Sequence, residues 1–379
     1  MCSAAVLPPT VLHLVQPGDG GVARVVTDLV ADQSGRGLRV AVACPPGTPL
    51  AAAVRDHGAE LHPWRAGREP GPQLISEIRD LARIVHTVAP GLVHAHSAKA
   101  GLCGRLAVRG RIPTVYQPHA WSFAAVEGTT AALARRWERY GARWAHRVVC
   151  VSEAERRTGE RAGVRASWAV IRNGVDVARF AAADIGAEPS GDGTPTVVCV
   201  GRLCRQKGQD VLLRAWPAIL DRVPGARLVL VGDGPDEQRL RAAAPASVRF
   251  TGAVADTAPW YREADLVVLP SRWEGMALAP LEAMAAGRPV VVTDVDGARE
   301  SLPPGHATHC LVPPEDPAAL ATAVCRLLGG PEPRRTLGRQ AHEHVLSTFD
   351  VRRTGAAIAD LYRELAPVRG TQRGEPIFQ

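Results

Sequence analysis

A chain of 379 residues, 46% apolar and 22% charged, is too long for one ordinary core and suggests about two folded domains. No run approaches the ~18 apolar residues of a spanning helix, and Met1 to Val15 has neither a basic start nor a small-residue cleavage site, which argues against a secretion signal. The net charge of +7 is uneven, with 23 Lys+Arg against 15 Asp+Glu in residues 1–185 and 22 against 23 in the rest.

A basic half without a nucleic-acid motif or an aromatic stacking pattern excludes nucleic acid as the natural partner and favours an anionic acceptor or a membrane surface. The eight cysteines lie far apart with no C-x-x-C pair, so they read as reduced, buried thiols of a cytoplasmic protein. Basic residues are almost all Arg; lysine occurs only at Lys99 and Lys207.

In chain order, Thr10 to Val15 reads as a strand, followed by the loop Gln16-Pro17-Gly18-Asp19-Gly20-Gly21 and a helix from Val22 to about Asp32. A glycine loop opening a helix lets backbone N–H groups approach an anion at the positive end of the helix dipole. Leu38 to Ala43 is a strand, and Pro49 to His57 and Gln73 to Val88 are helices. The strand from Gly91 ends in His94-Ala95-His96-Ser97-Ala98-Lys99. Two histidines here suggest a metal, but no third ligand follows at a suitable spacing, so packing and acceptor-side hydrogen bonds are expected instead.

The strand Pro113 to Gln117 runs into Pro118-His119-Ala120-Trp121, and a helix follows from Thr129 to about Arg147. Arg139, Arg143 and Arg147 fall on one face of that helix, which is read as a solvated face before it is read as a membrane-resting one. After the strand Val148 to Val151, Ser152 with Glu155 three residues on forms a capping box. Residues 181–194 are the small, polar linker.

The second half opens with the strand Thr196 to Val200 and the loop Gly201-Arg202-Leu203-Cys204-Arg205-Gln206-Lys207-Gly208. The strand Ala226 to Val231 precedes Gly232-Asp233-Gly234-Pro235, and Val248 to Gly252 is a short strand and turn. Next, Ala264 to Leu269 leads into Ser271 to Gly287, S-R-W-E-G-M-A-L-A-P-L-E-A-M-A-A-G. Glu274 precedes the helix and Glu282 lies about a turn into it, so both can face the carboxyl end of the strand, where open α/β sheets bind ligands. A strand from Pro289 to Thr293 precedes Asp294-Val295-Asp296-Gly297, and helices at Pro317–Leu328, Pro333–Ser347 and Val351–Leu365 close the fold before a disordered tail over 366–379. Strand and helix alternating in this way predict doubly wound parallel sheets.

The E-x7-E segment and the G-R-x-x-x-x-K-G loop together resemble the family 4 glycosyltransferases, retaining enzymes of the GT-B fold, over residues 10 to 365. The resemblance implies two Rossmann-like domains, 1–182 and 195–350, with an active-site cleft between them and a helix at 351–365 crossing back. It places Gly20, Gly21, Arg202, Lys207, Gly252, Glu274, Gly275, Met276, Ala277, Leu278 and Glu282 on a nucleotide sugar. Arg202, Lys207, Glu274 and His119 become the catalytic set, with His119 near the sugar hydroxyls. Lys99, His96 and Trp121 are acceptor candidates. The D-x-D shape at Asp294 to Asp296 reads as a chance match from another fold, and neither metal nor cofactor is expected.

The implied function is retaining transfer of a hexosyl or N-acetylhexosaminyl group from a nucleotide diphosphate sugar, UDP-linked, to a hydroxyl of a small-molecule or lipid-linked acceptor, with peripheral contact at the inner face of the membrane a secondary expectation. Two readings stand against it: a nucleotide-sugar epimerase of the same fold, and a non-catalytic module that binds nucleotide sugars or anionic surfaces.

Overall fold

The computed structural model describes residues 10–181 and 193–366. Most of the linker 181–194, the start of the chain and the tail beyond 366 lie outside the described residues. The chain divides into two compact units, one holding the residues up to 117, 141–148 and those from 355 on, the other 118–140 and 149–354. This division departs from a single cut at the linker, because the loops after the fifth and sixth strands pack against the turn at Gly275, as shown below.

The first sheet contains β1 (Val11–Val15), β2 (Val40–Cys44), β3 (Glu60–Pro63), β4 (Leu92–His96), β5 (Thr114–Gln117), β6 (Arg147–Cys150) and β7 (Trp168–Val170) in the order β3-β2-β1-β4-β5-β6-β7. Pairing is parallel from β3 through β6. Four of its strands, β1, β2, β4 and β5, are buried along their whole length, as expected where helices cover both faces. Leu12, Leu14, Ala41, Val93 and Ala95 build the core on one face, and Val15, Val26, Val30, Val40 and Val42 build it on the other.

The second sheet contains β8 (Thr196–Val200), β9 (Arg227–Val231), β10 (Val248–Phe250), β11 (Leu266–Leu269), β12 (Val290–Thr293) and β13 (Leu311–Val312), ordered β10-β9-β8-β11-β12-β13 and parallel throughout. Both sheets therefore reverse their strand order once, β1 beside β4 and β8 beside β11. At such a reversal the loops leave two neighbouring strands in opposite directions and open a crevice beyond their carboxyl ends.

Among the elements not legible in advance are one helix and two strands of the N-terminal half. The helix Ser97–Val108 occupies what reads as a loop, because S-A-K-A-G-L-C-G carries little amphipathic pattern. Its small residues serve close packing instead: a Cβ on Gly101 would strike the Tyr116 ring, and one on Gly104 would come within 2.7 Å of Leu14. β3 and β7 lack a fully buried residue and are only four and three residues long. The expected helix to Arg147 ends at Gly141. Arg139 donates to the Ala162 carbonyl at 2.5 Å, whereas Arg147 opens β6 and pairs with Glu364, so the three arginines form no single helical face.

The second sheet's core centres on Trp216 of the helix Gln209–Arg222, fully buried with its Nε1–H donating to Ser247 Oγ at 2.9 Å. Trp216→Ala removes that volume and leaves a cavity, so it should destabilise this unit by about 3–5 kcal/mol, read from denaturant titration followed by far-UV circular dichroism.

Candidate active site

The loops leaving β8 and β11 meet at the second reversal. After β8 the chain passes Gly201 and Arg202 into a 3-10 turn, Arg205–Lys207, and then Gly208 opens the helix Gln209–Arg222. Gly208 sits at φ 66°, and a Cβ there would strike the Pro270 carbonyl, so only glycine lets the two loops approach. That approach delivers the Lys207 ammonium 2.6 Å from Glu274 Oε1. Ser271 Oγ donates to the same oxygen at 2.7 Å, and Gln206 donates to the Trp273 carbonyl at 3.0 Å. Arg272 straps the β11 loop to the other, gripping Asp210 at 2.7 Å and the Arg205 carbonyl at 2.7 Å. Arg202 is half-buried on the same loop, its carbonyl accepting from Gln209 at 3.0 Å.

Beyond Glu274, the residues Gly275, Met276 and Ala277 run into the helix Leu278–Ala285, whose N-cap Ala277 offers no side-chain acceptor. Uncapped first-turn amides suit an anion. Glu282 is buried on this helix and accepts from the Tyr261 hydroxyl at 2.7 Å. A carboxylate has further lone pairs, so this bond does not exhaust it. A small pocket lies here, lined by Ser271, Glu274, Ala277, Thr293, Asp296 and Ser301 among others. Gly252, at φ 73°, accepts at its carbonyl from the Gly232 amide at 2.9 Å and closes β10 beside β9.

One participant was legible only as a cap. Ser152 accepts from the Glu155 amide at 3.0 Å, as a capping box requires, and donates to the Gly275 carbonyl at 2.9 Å. The Glu155 carboxylate, however, does not return to the Ser152 amide. It accepts from Val151 N at 2.7 Å and from Ala120 N at 2.6 Å. Ala120 and His119 have φ of 114° and 56°, positions that cost non-glycine residues about 1–3 kcal/mol each. Glu155 thus pins the turn that carries His119. Burial pushes its carboxyl up to about 7, against the pull of those two amides. A Cβ on Gly275 would lie 2.7 Å from Glu155 Oε1 and 3.0 Å from Ala120 N, and one on Gly297 would strike the Gly275 carbonyl. Asn173 completes the cradle, donating to the Met276 carbonyl at 2.8 Å.

The family model for Glycosyltransferase Family 4 matches residues 19–179, and that for Glycosyl transferases group 1 matches 194–330. A D-inositol 3-phosphate glycosyltransferase of Saccharomonospora viridis is 32% identical over 97% of this chain and 95% of its own. The chain belongs to glycosyltransferase family 4. A GDP-mannose-dependent alpha-(1-6)-phosphatidylinositol monomannoside mannosyltransferase of Mycobacterium tuberculosis is 35% identical over 53% of this chain and 57% of its own. Among solved structures, Anabaena Alr3699/HepE in complex with UDP and glucose superposes with a TM-score of 0.80, at 24% identity, over 94% of this chain and all of that one. The fold is GT-B.

Within this family 4 chain, the expected residues divide. Arg202, Lys207, Gly252, Glu274 to Leu278, Glu282 and His119 share the second unit; Gly20, Gly21, His96 and Lys99 belong to the first. Gly20 and Gly21 are exposed and form the first turn of the helix Gly20–Gly35, with Gly20 at φ 68° and the Asp19 side chain turned to Arg68 at 2.6 Å instead of capping. The three acceptor candidates, Lys99, His96 and Trp121, are all buried against other groups. Lys99 is 4% exposed and paired with Glu77 at 2.6 Å. His96 is fully buried against His13, and Trp121 is 2% exposed, its indole N–H donating to the Glu155 carbonyl at 2.7 Å. None of the three presents its side chain to solvent. Asp294 and Asp296 have separate partners, Arg299 at 2.6 Å and Thr158.

Glu155 gives a pH signature. Its pKa is raised from the usual 4.5 to about 7, so the folded chain keeps a proton that the unfolded chain has lost between those values. The stability it contributes is full below about 4.5 and is lost as pH rises through about 7. Glu155→Gln removes the titration and sets an amide N–H against a backbone N–H. The variant should melt lower than wild type at pH 5 and show a smaller drop in Tm between pH 5 and pH 8.

Proposed function

We propose that this chain transfers a hexosyl group, with retention of anomeric configuration, from a UDP-linked sugar to a hydroxyl of an anionic acceptor, without a metal ion. The observation that carries the reading is the Lys207–Glu274 pair at the β8/β11 reversal, 2.6 Å apart and largely shielded from water. Departure of a nucleoside diphosphate leaves negative charge that must be stabilised as it develops, and preorganised cations do this best where water is excluded. Lys207 and Arg202 supply those cations. Glu274 then holds the sugar hydroxyls, Glu282 the ribose hydroxyls, the Gly275 to Leu278 backbone the phosphates, and Gly252 the base.

His119 acts as a hydrogen-bonding partner of the sugar. Burial pushes its imidazole down to about 3, so it stays neutral and is a poor base near pH 7. In this scheme the bond from the anomeric carbon to the phosphate oxygen breaks while the bond to the acceptor oxygen forms on the same face. The departing phosphate oxygen takes the acceptor's proton. The choice of UDP rests on the likeness to HepE, and an anionic acceptor on the basic N-terminal half and on relatives named for inositol phosphate and phosphatidylinositol substrates.

Thermal stabilisation and turnover with UDP-glucose, UDP-N-acetylglucosamine, GDP-mannose, ADP-glucose and dTDP-glucose, each with and without EDTA, test the reading. Stabilisation by one UDP-sugar that survives chelation is expected. A GDP-mannose response overturns the base, loss with EDTA overturns metal independence, and no response to any donor favours a binding module. NMR of the product should show the donor's anomeric configuration; inversion overturns the mechanism. Lys207→Met should lower kcat by about 10²–10³ with the fold intact, since one preorganised charge is lost.

A further inference from the structure

His13, His94 and His96 converge beneath the first sheet's covering helices. β1 and β4 pair in register with His13 beside His94, and parallel neighbours point to one face. His96, two residues on, shares it. All three side chains are fully buried, and one ring nitrogen from each lies within 4.8 Å of the others. His13 Nδ1 lies 3.0 Å from His96 Nε2, and the His94 and His96 ring centroids are 3.9 Å apart.

The outer nitrogens of His13 and His94 are oriented by other groups. Gln33 Oε1 lies 2.9 Å from His13 Nε2; an amide oxygen only accepts, so the His13 proton sits on Nε2 and the lone pair of Nδ1 faces inward. The Tyr362 hydroxyl holds His94 Nδ1 at 2.6 Å, which turns His94 Nε2 towards the cluster. On His13 and His94 an inward lone pair with the outer nitrogen fixed by a neighbouring amide or hydroxyl is the arrangement that orients histidine ligands around a metal. Tetrahedral ligands ~2.05 Å from zinc lie about 3.3 Å apart, close to the spacing already present between His13 and His96.

We propose that His13 through Nδ1, and His94 and His96 through Nε2, bind a divalent transition-metal ion of the zinc type. Imidazole nitrogens select such ions over magnesium or calcium, which take oxygen. On binding, His96 moves its proton from Nε2 to Nδ1, so three neutral imidazoles remain and no proton is released. The ion is structural: Gln33 lies on the helix Gly20–Gly35 and Tyr362 on the helix Val351–Leu365, so it ties both helices to β1 and β4. The transfer proposed above uses none of its ligands.

The test is elemental analysis of the full chain, produced without a polyhistidine tag in zinc-supplemented medium and freed of loose metal by gel filtration in EDTA, with cobalt as the spectroscopic probe. The expected results are about one zinc ion per chain, a visible cobalt spectrum of nitrogen ligation and a higher Tm with zinc. Tyr362→Phe should weaken zinc binding by about 10–100-fold with the far-UV spectrum unchanged, and His13→Asn should abolish it. Zinc below about a tenth of an ion per chain, both as purified and after refolding with zinc, overturns the site. So does a cobalt spectrum with a thiolate charge-transfer band, which would place the ion on cysteine. Should His13→Asn fail to fold, the wild-type content and the Tyr362→Phe affinity still decide.

Discussion

The parallel pairing of β8 with β11 is the constraint on which the candidate site depends. It sets two strand ends side by side while their loops leave in opposite directions, and the loops can meet only if one of them has no side chain at the crossing. Gly208 satisfies this against the Pro270 carbonyl. From that single approach follow the Lys207–Glu274 pair, the Arg272 strap to Asp210 and the aim of the helix carrying Glu282. An ion pair held so far out of water gains Coulomb energy at the expense of desolvation, so its value lies in position more than in stability. A cation and an anion held side by side can each be handed to a different part of one ligand.

The same logic repeats around Gly275. Three chain segments meet there, and the glycine at 275 and that at 297 let their backbones touch. The polar groups freed by the strained turn at His119 and Ala120 are answered by Glu155, at the cost of a raised pKa. The burial that depresses His119 and elevates Glu155 is thus one environment acting on opposite charges: the cationic imidazolium and the anionic carboxylate are both disfavoured.

Much of this was legible in residue order. The apolar runs of β1, β2, β8, β9, β11 and β12 announce buried parallel strands, and Ser152 caps its helix as read. The E-x7-E and G-R-x-x-x-x-K-G spacings pointed to Glu274, Glu282, Arg202 and Lys207. Lys99, His96 and Trp121 read as acceptor contacts because residues near strand ends look like ligands in a one-dimensional reading. Each had a buried partner far away in the chain: Glu77, His13 and the Glu155 carbonyl. The two lysines share one use, each closing on a glutamate at 2.6 Å.

What the sequence by itself determined was local: which runs form strands and helices, where glycine permits a turn, which residue types can carry charge to a phosphate. These follow from periodicity, capping and backbone sterics, and act over a few residues. Which distant groups face one another was decided only by the tertiary structure. The strand order brings His13 beside His94 across 81 positions, and packing carries one oxygen of the Glu155 carboxylate to Ala120, 35 residues back in the chain. A side chain's partner depends on register and face, and these arise only when whole sheets assemble.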